Sequence, residues 1–426
     1  MKKFFALCLS LALVLSLAAC GGGSSSGGGS TQTTTPAQTT TTPAASGTET
    51  PTEPAASTLK VGVVLVGDEN EGYTYAHIEG IRKAMEACGL TDDNMVWFYS
   101  IPESEECYDK CIECVEQGCN LVITNSYGHQ TYTQLAAEEN PDVQFVAMTG
   151  DTAMKSGLAN FHNAFNMTFE SRYVSGVVAG LKLKEMMDAG LVSDPYIGYV
   201  GAYPYAEVVS GYTGFFLGIR SIVPTAHMDV QYTNSWFNIQ DEGKAAEALM
   251  ARGCVIIGQH ADSTGAPKAV QTAKDNGSNV YSVGYNIDML AAAPTAALTS
   301  STNDWSVFYT YAFSTLQNGG TLPTDWSEGY ETGAVAITPL GPEVADGTAE
   351  AVKAAEDAIK AGTLHVFDTD TFTVNGEKVT SALTFDSDGD WVNDTNEGIV
   401  DGYYHESEYI SAPSFSLRID GITELN

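Results

Sequence analysis

Short apolar segments that alternate with amphipathic ones constrain the fold of this chain more than any other feature. Eight segments rich in β-branched and aromatic residues are predicted to be strands, and each is followed by a stretch with helical periodicity. The predicted strands are LKVGVVLVG, MVWFYSIP, NLVITNS, VQFVAMTG, YIGYVGAY, DVQYTNSW, CVIIGQHA and NVYSVGYN. Strands that alternate with helices form parallel sheets joined by right-handed crossovers. The sequence therefore predicts a doubly wound α/β fold.

The alternation allows either one sheet of eight parallel strands or two sheets in separate lobes. The apolar helix SRYVSGVVAGLKLKEMMDAG follows the strand-poor segment ANFHNAFNMTFE, and this order favours two lobes. In open parallel sheets, ligands bind beyond the carboxyl ends of the strands. We therefore expect a ligand to lie where the strand ends of the two lobes face each other.

Aromatic and hydrogen-bonding side chains recur where the predicted strands end. They are Tyr73, Tyr75 and His77; Asn125, Ser126 and Tyr127; Tyr203, Tyr205 and Glu207; Asn234 and Trp236; His260 and Asp262; Asn286 and Asp288; and Asp304 and Trp305. Aromatic faces hold a planar or ring-shaped ligand, and carboxylates and amides form hydrogen bonds at its edges. A single tyrosine would more often be a packing residue, so the prediction rests on recurrence. The pattern predicts binding of a small cyclic molecule without catalysis.

The charge of the chain excludes one class of partner. Nineteen basic residues stand against 53 acidic ones, which gives a formal net charge of −34. Such a surface repels phosphate backbones, so the chain is not expected to bind nucleic acid. It also disfavours polyanionic substrates over most of the surface, although a local pocket can differ.

The N-terminus has the features of a bacterial export signal. Lys2 and Lys3 precede an apolar run that is shorter than the ~20 residues needed to span a bilayer. The run ends in Leu-Ala-Ala-Cys, which resembles a lipobox in which Cys20 becomes the acylated N-terminus. The alternative is an ordinary signal peptide with a chance cysteine. We expect residues 1–19 to be a signal peptide and residues 20–57, rich in Gly, Ser, Thr and Pro, to be a disordered tether to the cell membrane.

Three cysteines of the remaining chain share one helical spacing. Cys107, Cys111 and Cys114 lie at i, i+4 and i+7, which is typical of one buried helix face. Core thiols are favoured over a metal site because the paired CxxC knuckles of structural zinc are missing. Disulfides remain possible in an exported protein.

Enzymatic and metal-binding alternatives have weak support. His260 and Asp262 could belong to a hydrolase metal site, but no further ligands follow at metal spacing. The segment DSDGDWVNDTNE (386–397) has the acidic spacing of a calcium loop, with Trp391 where the sharp turn requires glycine. The motifs GxxxxGK[ST] and GxSxG do not occur. No enzyme activity, metal or cofactor is therefore predicted.

Four longer runs resemble one known protein family. They are GDENEGYTYAHIEGIRKAM, YVGAYPYAEVVSGYTGFFLGIRSIVPTAHMDVQYTNSWFNIQDEGKAAEALMARGCVIIGQHADS, VGYNIDM and STNDWSVFY. They resemble the basic membrane protein family of substrate-binding lipoproteins, which includes purine nucleoside receptors, and the resemblance covers roughly residues 58–367. The family implies a type I periplasmic-binding-protein fold. It also implies a monomer that hands purine nucleosides or bases to an ABC permease and its ATPase.

The resemblance assigns roles to individual residues. Tyr73 in EGYTYAH corresponds to a stacking residue of the first lobe, and Asn125 and Tyr127 lie at the SFG turn of the family. Asp288 matches a strand-end Asp that engages ribose hydroxyls in nucleoside binders. Where those binders carry a lysine, this chain has Asn303. The missing cation makes a free base or another heterocycle an alternative to a nucleoside.

These patterns divide the folded chain into two lobes. Residues 58–166 and 299–330 are expected to form lobe 1, and residues 167–298 and 331–426 lobe 2 with a C-terminal extension. Hinge closure would trap the ligand between the lobes. The alternatives are a binding protein for a sugar or other polar solute, and a ligand sensor or surface receptor on the same fold.

The lipobox predicts a clear effect of one substitution. Cys20→Ser should move the protein from the membrane fraction to the soluble fraction because the acylated thiol is lost, while the melting temperature stays unchanged. Cys8→Ser, inside the apolar run, is the control and should leave the protein membrane-bound. Fractionation followed by immunoblotting measures both, and equal membrane retention of the Cys20 variant would end the lipoprotein interpretation.

Overall fold

The computed structural model describes residues 59–390 and 392–426. The predicted signal peptide, Cys20 and the predicted tether lie outside these residues, as does Trp391. None of the described helices combines the length and apolarity that a membrane crossing requires.

The described chain forms seventeen strands, most of them short. In chain order they are β1 (Val61–Val64), β2 (Met95–Phe98), β3 (Leu121–Thr124), β4 (Gln144–Met148), β5 (Phe161–Ala164), β6 (Tyr196–Gly201), β7 (His227–Tyr232), β8 (Ile256–His260), β9 (Tyr281–Tyr285), β10 (Ala297–Asn303), β11 (Asp325–Trp326), β12 (Val335–Ile337), β13 (Leu383–Phe385), β14 (Thr395–Glu397), β15 (Ile399–Val400), β16 (Tyr403–Tyr404) and β17 (Ile422–Glu424).

Helices connect these strands. They are α1 (Gly72–Cys88), α2 (Glu105–Glu116), α3 (Gln130–Glu139), α4 (Ala153–Ser156), α5 (Thr168–Asp188), α6 (Ala206–Ile222), α7 (Ile239–Ala251), α8 (Gly265–Asp275), α9 (Ser306–Gln317) and α10 (Thr348–Lys360). Short 3₁₀ turns cover Asp92–Asn94 and Tyr127–His129.

Two separate sheets form the cores of two lobes. The lobe 1 sheet has the order β11-β5-β4-β3-β1-β2, and the lobe 2 sheet has the order β12-β10-β9-β8-β6-β7-β17. Neighbouring strands are parallel throughout, except that β12 runs antiparallel to β10. The eight predicted strands are β1–β4 and β6–β9, so the predicted two-lobed parallel fold is confirmed and the single-sheet alternative is wrong.

One strand and one lobe boundary differ from the prediction. β5 lies inside the segment that was expected to be strand-poor, where buried His162 hydrogen-bonds the Pro323 carbonyl at 2.8 Å and Gln144 at 2.9 Å. These partners satisfy the hydrogen-bonding groups of a buried polar side chain within β5. A pattern of apolar residues in the sequence could not reveal them. β10 pairs with β9 in lobe 2. The chain therefore returns to lobe 1 after Asn303 and not at 299.

The predicted buried face of α2 is confirmed. Cys107, Cys111 and Cys114 are fully buried and pack with Phe145 and Phe161 of the lobe 1 sheet. The described cysteines are all free thiols. They serve as core residues, as small apolar side chains commonly do.

Two glycines allow α5 and α6 to touch in lobe 2. A Cβ atom at Gly176 would lie 2.1 Å from the Phe215 carbonyl oxygen, and one at Gly218 would lie 2.1 Å from the Tyr173 carbonyl oxygen. Any larger residue would push the helices apart. This close contact carries Arg172 of α5 to β8 and β9, where its guanidinium donates to a β8 carbonyl and covers a β9 tyrosine ring.

The C-terminal segment (367–426) is built onto lobe 2 and reaches lobe 1. Its Phe415 ring stacks on Phe367 with centroids 4.2 Å apart, inside the lobe 2 core. β17 extends the lobe 2 sheet beside β7. Towards lobe 1, Asp386 pairs with Lys155 at 3.5 Å, and Asp325 accepts a hydrogen bond from the Ser411 hydroxyl at 2.6 Å. The segment thus bridges the lobes by polar contacts and is anchored by apolar ones on lobe 2.

Candidate functional site

A cavity of about 260 Å³ lies between the two lobes. Most of its lining residues follow the carboxyl ends of parallel strands, where ligand sites of open α/β sheets form. Lobe 1 contributes Val66, Glu71, Tyr73, Glu103, Ser126, Tyr127 and Thr149, and lobe 2 contributes Tyr203, Glu207, Ser235, Trp236, Phe237, Asp262 and Tyr285.

Aromatic rings form two walls of this cavity. In lobe 1, the Tyr73 hydroxyl donates to the Asn125 carbonyl, and its ring meets His77 edge-on at 4.5 Å. In lobe 2, the ring of Trp236 lies 5.4 Å from that of Tyr203 at 62°. Each wall is fixed by its own lobe, so the distance between the walls depends on how far the lobes close.

Acidic groups, one buried and two partly buried, lie between the aromatic walls. Asp262 is 6% exposed and accepts a hydrogen bond from Asn286 Nδ2 at 2.6 Å. Burial raises the pKa of Glu207 to about 7 and raises that of Asp262 well above its usual range. Burial also raises the pKa of Glu71. Near neutral pH Glu207 is therefore partly protonated, so its carboxyl group can both accept and donate hydrogen bonds.

Glu207 is oriented by a neutral histidine. His260 Nε2 lies 3.2 Å from a Glu207 carboxylate oxygen. Burial, reinforced by nearby Arg172, holds the pKa of His260 well below its usual range. The contact is therefore a hydrogen bond between the Glu207 carboxyl group and a neutral imidazole, and not an ion pair.

Arg172 is the buried cation behind the acidic groups. Its Nη1 donates to the Gln259 carbonyl at 2.6 Å, and its guanidinium lies over the Tyr285 ring at 3.8 Å. Within the described residues, Nε and Nη2 have no hydrogen-bond partner. Arg172 partly opposes the raised pKa of Glu207. It escaped prediction because it lies in a largely apolar helix and does not follow a strand end.

The predicted site residues divide into three groups by position. Tyr73, Tyr127, Glu207, Trp236 and Asp262 line the cavity. Tyr205 lines an adjoining space, described below. The third group comprises residues that do not line the cavity, namely His77, Asn125, His260, Asp288 and Trp305.

Three of the residues outside the lining support it from behind. His260 holds Glu207, as described, and His77 packs against Tyr73. The Asn125 side-chain oxygen accepts a hydrogen bond from the Val66 backbone N–H at 2.8 Å. These residues act on a ligand only through the positions of their neighbours.

Asp288 and Trp305 are corrections to the predicted site. Asp288 is exposed, and its Oδ1 accepts a hydrogen bond from the Leu290 N–H at 2.8 Å, so it shapes a turn. Trp305 is 1% exposed and stacks on His77 at 4.3 Å in the lobe 1 core. Each follows a strand end in the sequence, yet neither side chain reaches the cavity.

Several lining residues were not assigned to the site from the sequence. Glu71 and Glu103 precede helices, so the strand-end pattern did not include them. Glu103 accepts hydrogen bonds from the Ser126 hydroxyl at 2.5 Å and the Gly128 N–H at 3.0 Å, which fixes the loop after β3. Tyr285 lies within β9 itself and resembled a core residue.

No metal is assigned to the acidic loop around residue 386. The carboxylate oxygens of Asp386, Asp388 and Asp390 lie within 4.8 Å of one another. Asp386 is also paired with Lys155. Exposed acidic groups commonly cluster in this way without binding a cation, so the loop carries no functional assignment.

Comparison with known families identifies the type of protein. The family model Bmp, described as ABC transporter substrate-binding protein PnrA-like, matches residues 59–366. The chain belongs to this family. Members capture small molecules outside the cytoplasm and work with a membrane permease and its ATPase, so this Bmp-family chain is a binding protein and not an enzyme.

Individual relatives agree with this assignment. A purine-binding protein of Brucella abortus is 31% identical over 315 residues, which are 74% of this chain and 84% of that protein. A Haloferax volcanii protein, provisionally named an ABC transporter glucose-binding protein, is 28% identical over 296 residues and covers 70% of each chain. A solute-binding protein structure from Aeropyrum pernix superposes with a TM-score of 0.60 at 15% identity, covering 72% of this chain and 93% of that one.

Two tryptophans provide a matched pair of mutations. Trp305→Ala removes a core ring and should lower the free energy of unfolding by ~3–5 kcal/mol. Trp236→Ala removes a half-buried ring at the cavity and should mainly weaken ligand binding. Urea unfolding and calorimetric titration measure the two effects. A Trp236 variant that is as unstable as the Trp305 variant but binds normally would contradict a role in the cavity.

Glu207 predicts a dependence of stability on pH. Its pKa is raised from 4.5 to about 7 on folding, so the folded state holds a proton that the unfolded state releases. The free energy of unfolding therefore falls as pH rises from the unfolded-state pKa to the folded-state pKa of Glu207. Above the folded-state pKa, the protein carries the full destabilisation from ionising this side chain. The melting temperature of Glu207→Gln should drop less than that of the parent between about pH 5 and about pH 8. Exposed Glu247→Gln is the control, and equal drops in the parent and the Glu207 variant would refute the raised pKa.

Proposed function

We propose that this Bmp-family protein captures a purine nucleoside or a related base between its lobes and delivers it to an ABC permease. The observation that carries this proposal is the placement of Tyr73 and Trp236 on opposite lobes, with partly buried Glu207 and buried Asp262 between them. Aromatic walls suit a planar bicyclic ring. The purine-binding relative from Brucella abortus supports the same class of ligand.

The acidic groups favour a neutral ligand that donates hydrogen bonds. Amino and ring N–H groups of purines, and ribose hydroxyls, can donate to Glu207 and Asp262. A phosphate would lie beside the carboxyl groups of Glu71, Glu103, Glu207 and Asp262, and the described residues that line the cavity include no Lys or Arg side chain to bind it. The proposed ligand is therefore a nucleoside or base and not a nucleotide.

Binding is proposed to work by closure of the two lobes. The aromatic walls belong to different lobes, so a stacked ligand contacts both only when the lobes approach. The closed state then gains contacts that the open state lacks. A lipid on Cys20 would keep the loaded protein, as a monomer, near its permease.

A sugar-binding function is the second candidate. The Haloferax volcanii relative carries a name that points to glucose. Aromatic faces and carboxylates also suit sugars, whose hydroxyls donate to acidic acceptors. A ligand sensor on the same fold would use the same cleft without a permease.

A thermal-shift panel separates these ligands. Adenosine, guanosine, adenine and guanine should raise the melting temperature, since a ligand at a hundredfold excess over its dissociation constant adds about 2.7 kcal/mol of stability. AMP, glucose, ribose and leucine should not. Glu207→Gln should reduce the purine shift, whereas exposed Glu247→Gln should leave it unchanged. A shift with glucose or ribose alone would replace the purine proposal with the sugar candidate.

A further inference from the structure

A side chamber of about 780 Å³ adjoins the cavity. Tyr127, Thr149 and Glu207 line both spaces, so the two lie side by side. The outer wall of the chamber comes from residues 381–386, 392–393 and 404–418 of the C-terminal segment. That segment lies beyond the family match, which ends at residue 366.

The two spaces differ in what they can hold. The side chamber has about three times the volume of the cavity. A purine ring between the aromatic walls would occupy the cavity. A group attached to the ring on the side of Tyr127 and Glu207 would extend into the side chamber.

The charges of the side chamber disfavour an anionic group. Of its two cationic side chains, Lys155 pairs with Asp386 at 3.5 Å and Arg418 pairs with Glu424 at 2.9 Å. Asp151 adds a further carboxylate to the lining. The positive charges are already compensated, so a phosphate would find no cation to bind.

The remaining lining suits a sugar. Tyr205 and Phe385 line the side chamber, and the Tyr205 ring stacks on Tyr203 of the cavity with centroids 5.0 Å apart. Such rings pack against the apolar face of a sugar. The hydroxyls of Ser381 and Ser416, with the carboxylate of Asp151, offer hydrogen-bond partners to sugar hydroxyls.

Internal contacts support the part of the outer wall formed by residues 404–418. One carboxylate oxygen of buried Glu406 accepts three hydrogen bonds at 3.0 Å, from the Ser414 N–H, the Ser414 hydroxyl and the Phe415 N–H. Phe415 in turn stacks on Phe367. A wall with this support keeps its shape when a ligand is absent, which favours binding.

We infer that the side chamber binds the glycosyl part of the ligand and accepts neutral groups larger than ribose, up to about two sugar units. This inference rests on the proposed purine function and extends it to glycosylated nucleosides. The residues that carry it belong mainly to the C-terminal segment.

Calorimetric titration of the full chain tests the inference. The probes are adenine and guanine, their ribonucleosides, and the 2′-O-ribofuranosyl derivatives of both nucleosides. For at least one purine, the nucleoside should bind at least tenfold more tightly than the base, and the disaccharide nucleoside should bind at least as tightly as the nucleoside.

Two variants that fill the side chamber sharpen the test. Ala412→Trp and Ser416→Trp place a ring in the chamber from two independent positions, so one folded variant suffices. Each should weaken binding of the disaccharide nucleoside at least tenfold and change binding of the base less than twofold. Ala361→Trp, at the exposed end of α10, is the matched control and should change neither.

The outcomes distinguish the inference from the proposed function. If bases and nucleosides bind but the disaccharide nucleosides do not, or if the filling variants weaken all probes equally, the inference is overturned and the purine function stands. If none of the six probes binds, the purine function itself is overturned and the inference with it.

Discussion

The buried guanidinium of Arg172 is the interaction on which the lobe 2 half of the cleft depends. A full positive charge away from water is costly unless nearby groups compensate it. Here the compensation comes from the Gln259 carbonyl, the Tyr285 ring and the carboxyl of Glu207. The close contact of α5 with α6 brings the charge to this position. The strand ends, the aromatic wall and the acidic groups of lobe 2 are therefore arranged around Arg172. A ligand does not need to contact this cation.

That arrangement explains how a strongly acidic protein can hold a neutral ligand selectively. Desolvation raises the pKa of Glu207 to about 7 and that of Asp262 well above its usual range, and it holds the pKa of His260 well below its usual range. The cleft thus presents hydrogen-bonding groups with little net charge, in contrast to the outer surface. Selectivity among polar ligands in such a site depends on whether each ligand donor meets a protein acceptor. A buried group without a partner has lost its hydrogen bond to water and gains none in return.

Much of this architecture was predictable, and the failures have physical reasons. Strand and helix periodicity located β1–β4 and β6–β9, and the carboxyl-end rule pointed to Tyr73, Glu207 and Trp236. β5 was missed because His162 is satisfied by partners distant in sequence. Trp305 and Asp288 were misplaced because a position after a strand does not determine where a side chain points. Arg172 and the C-terminal wall were missed because they reach the cleft only through tertiary packing.

The position of β17 has a consequence for the order in which the protein folds. The backbone N–H of Tyr232 donates to the Asn426 side chain at 2.9 Å, and the Tyr212 hydroxyl donates to Glu424 at 2.8 Å. These contacts join β7 and α6 to residues 424–426. Ribosomal synthesis proceeds from the N-terminus at about 5–20 residues per second, so lobe 2 stays incomplete until residue 426 has been made. Among the described residues, the lobe 1 sheet contains no strand after residue 326. Lobe 1 can therefore fold before lobe 2 is complete.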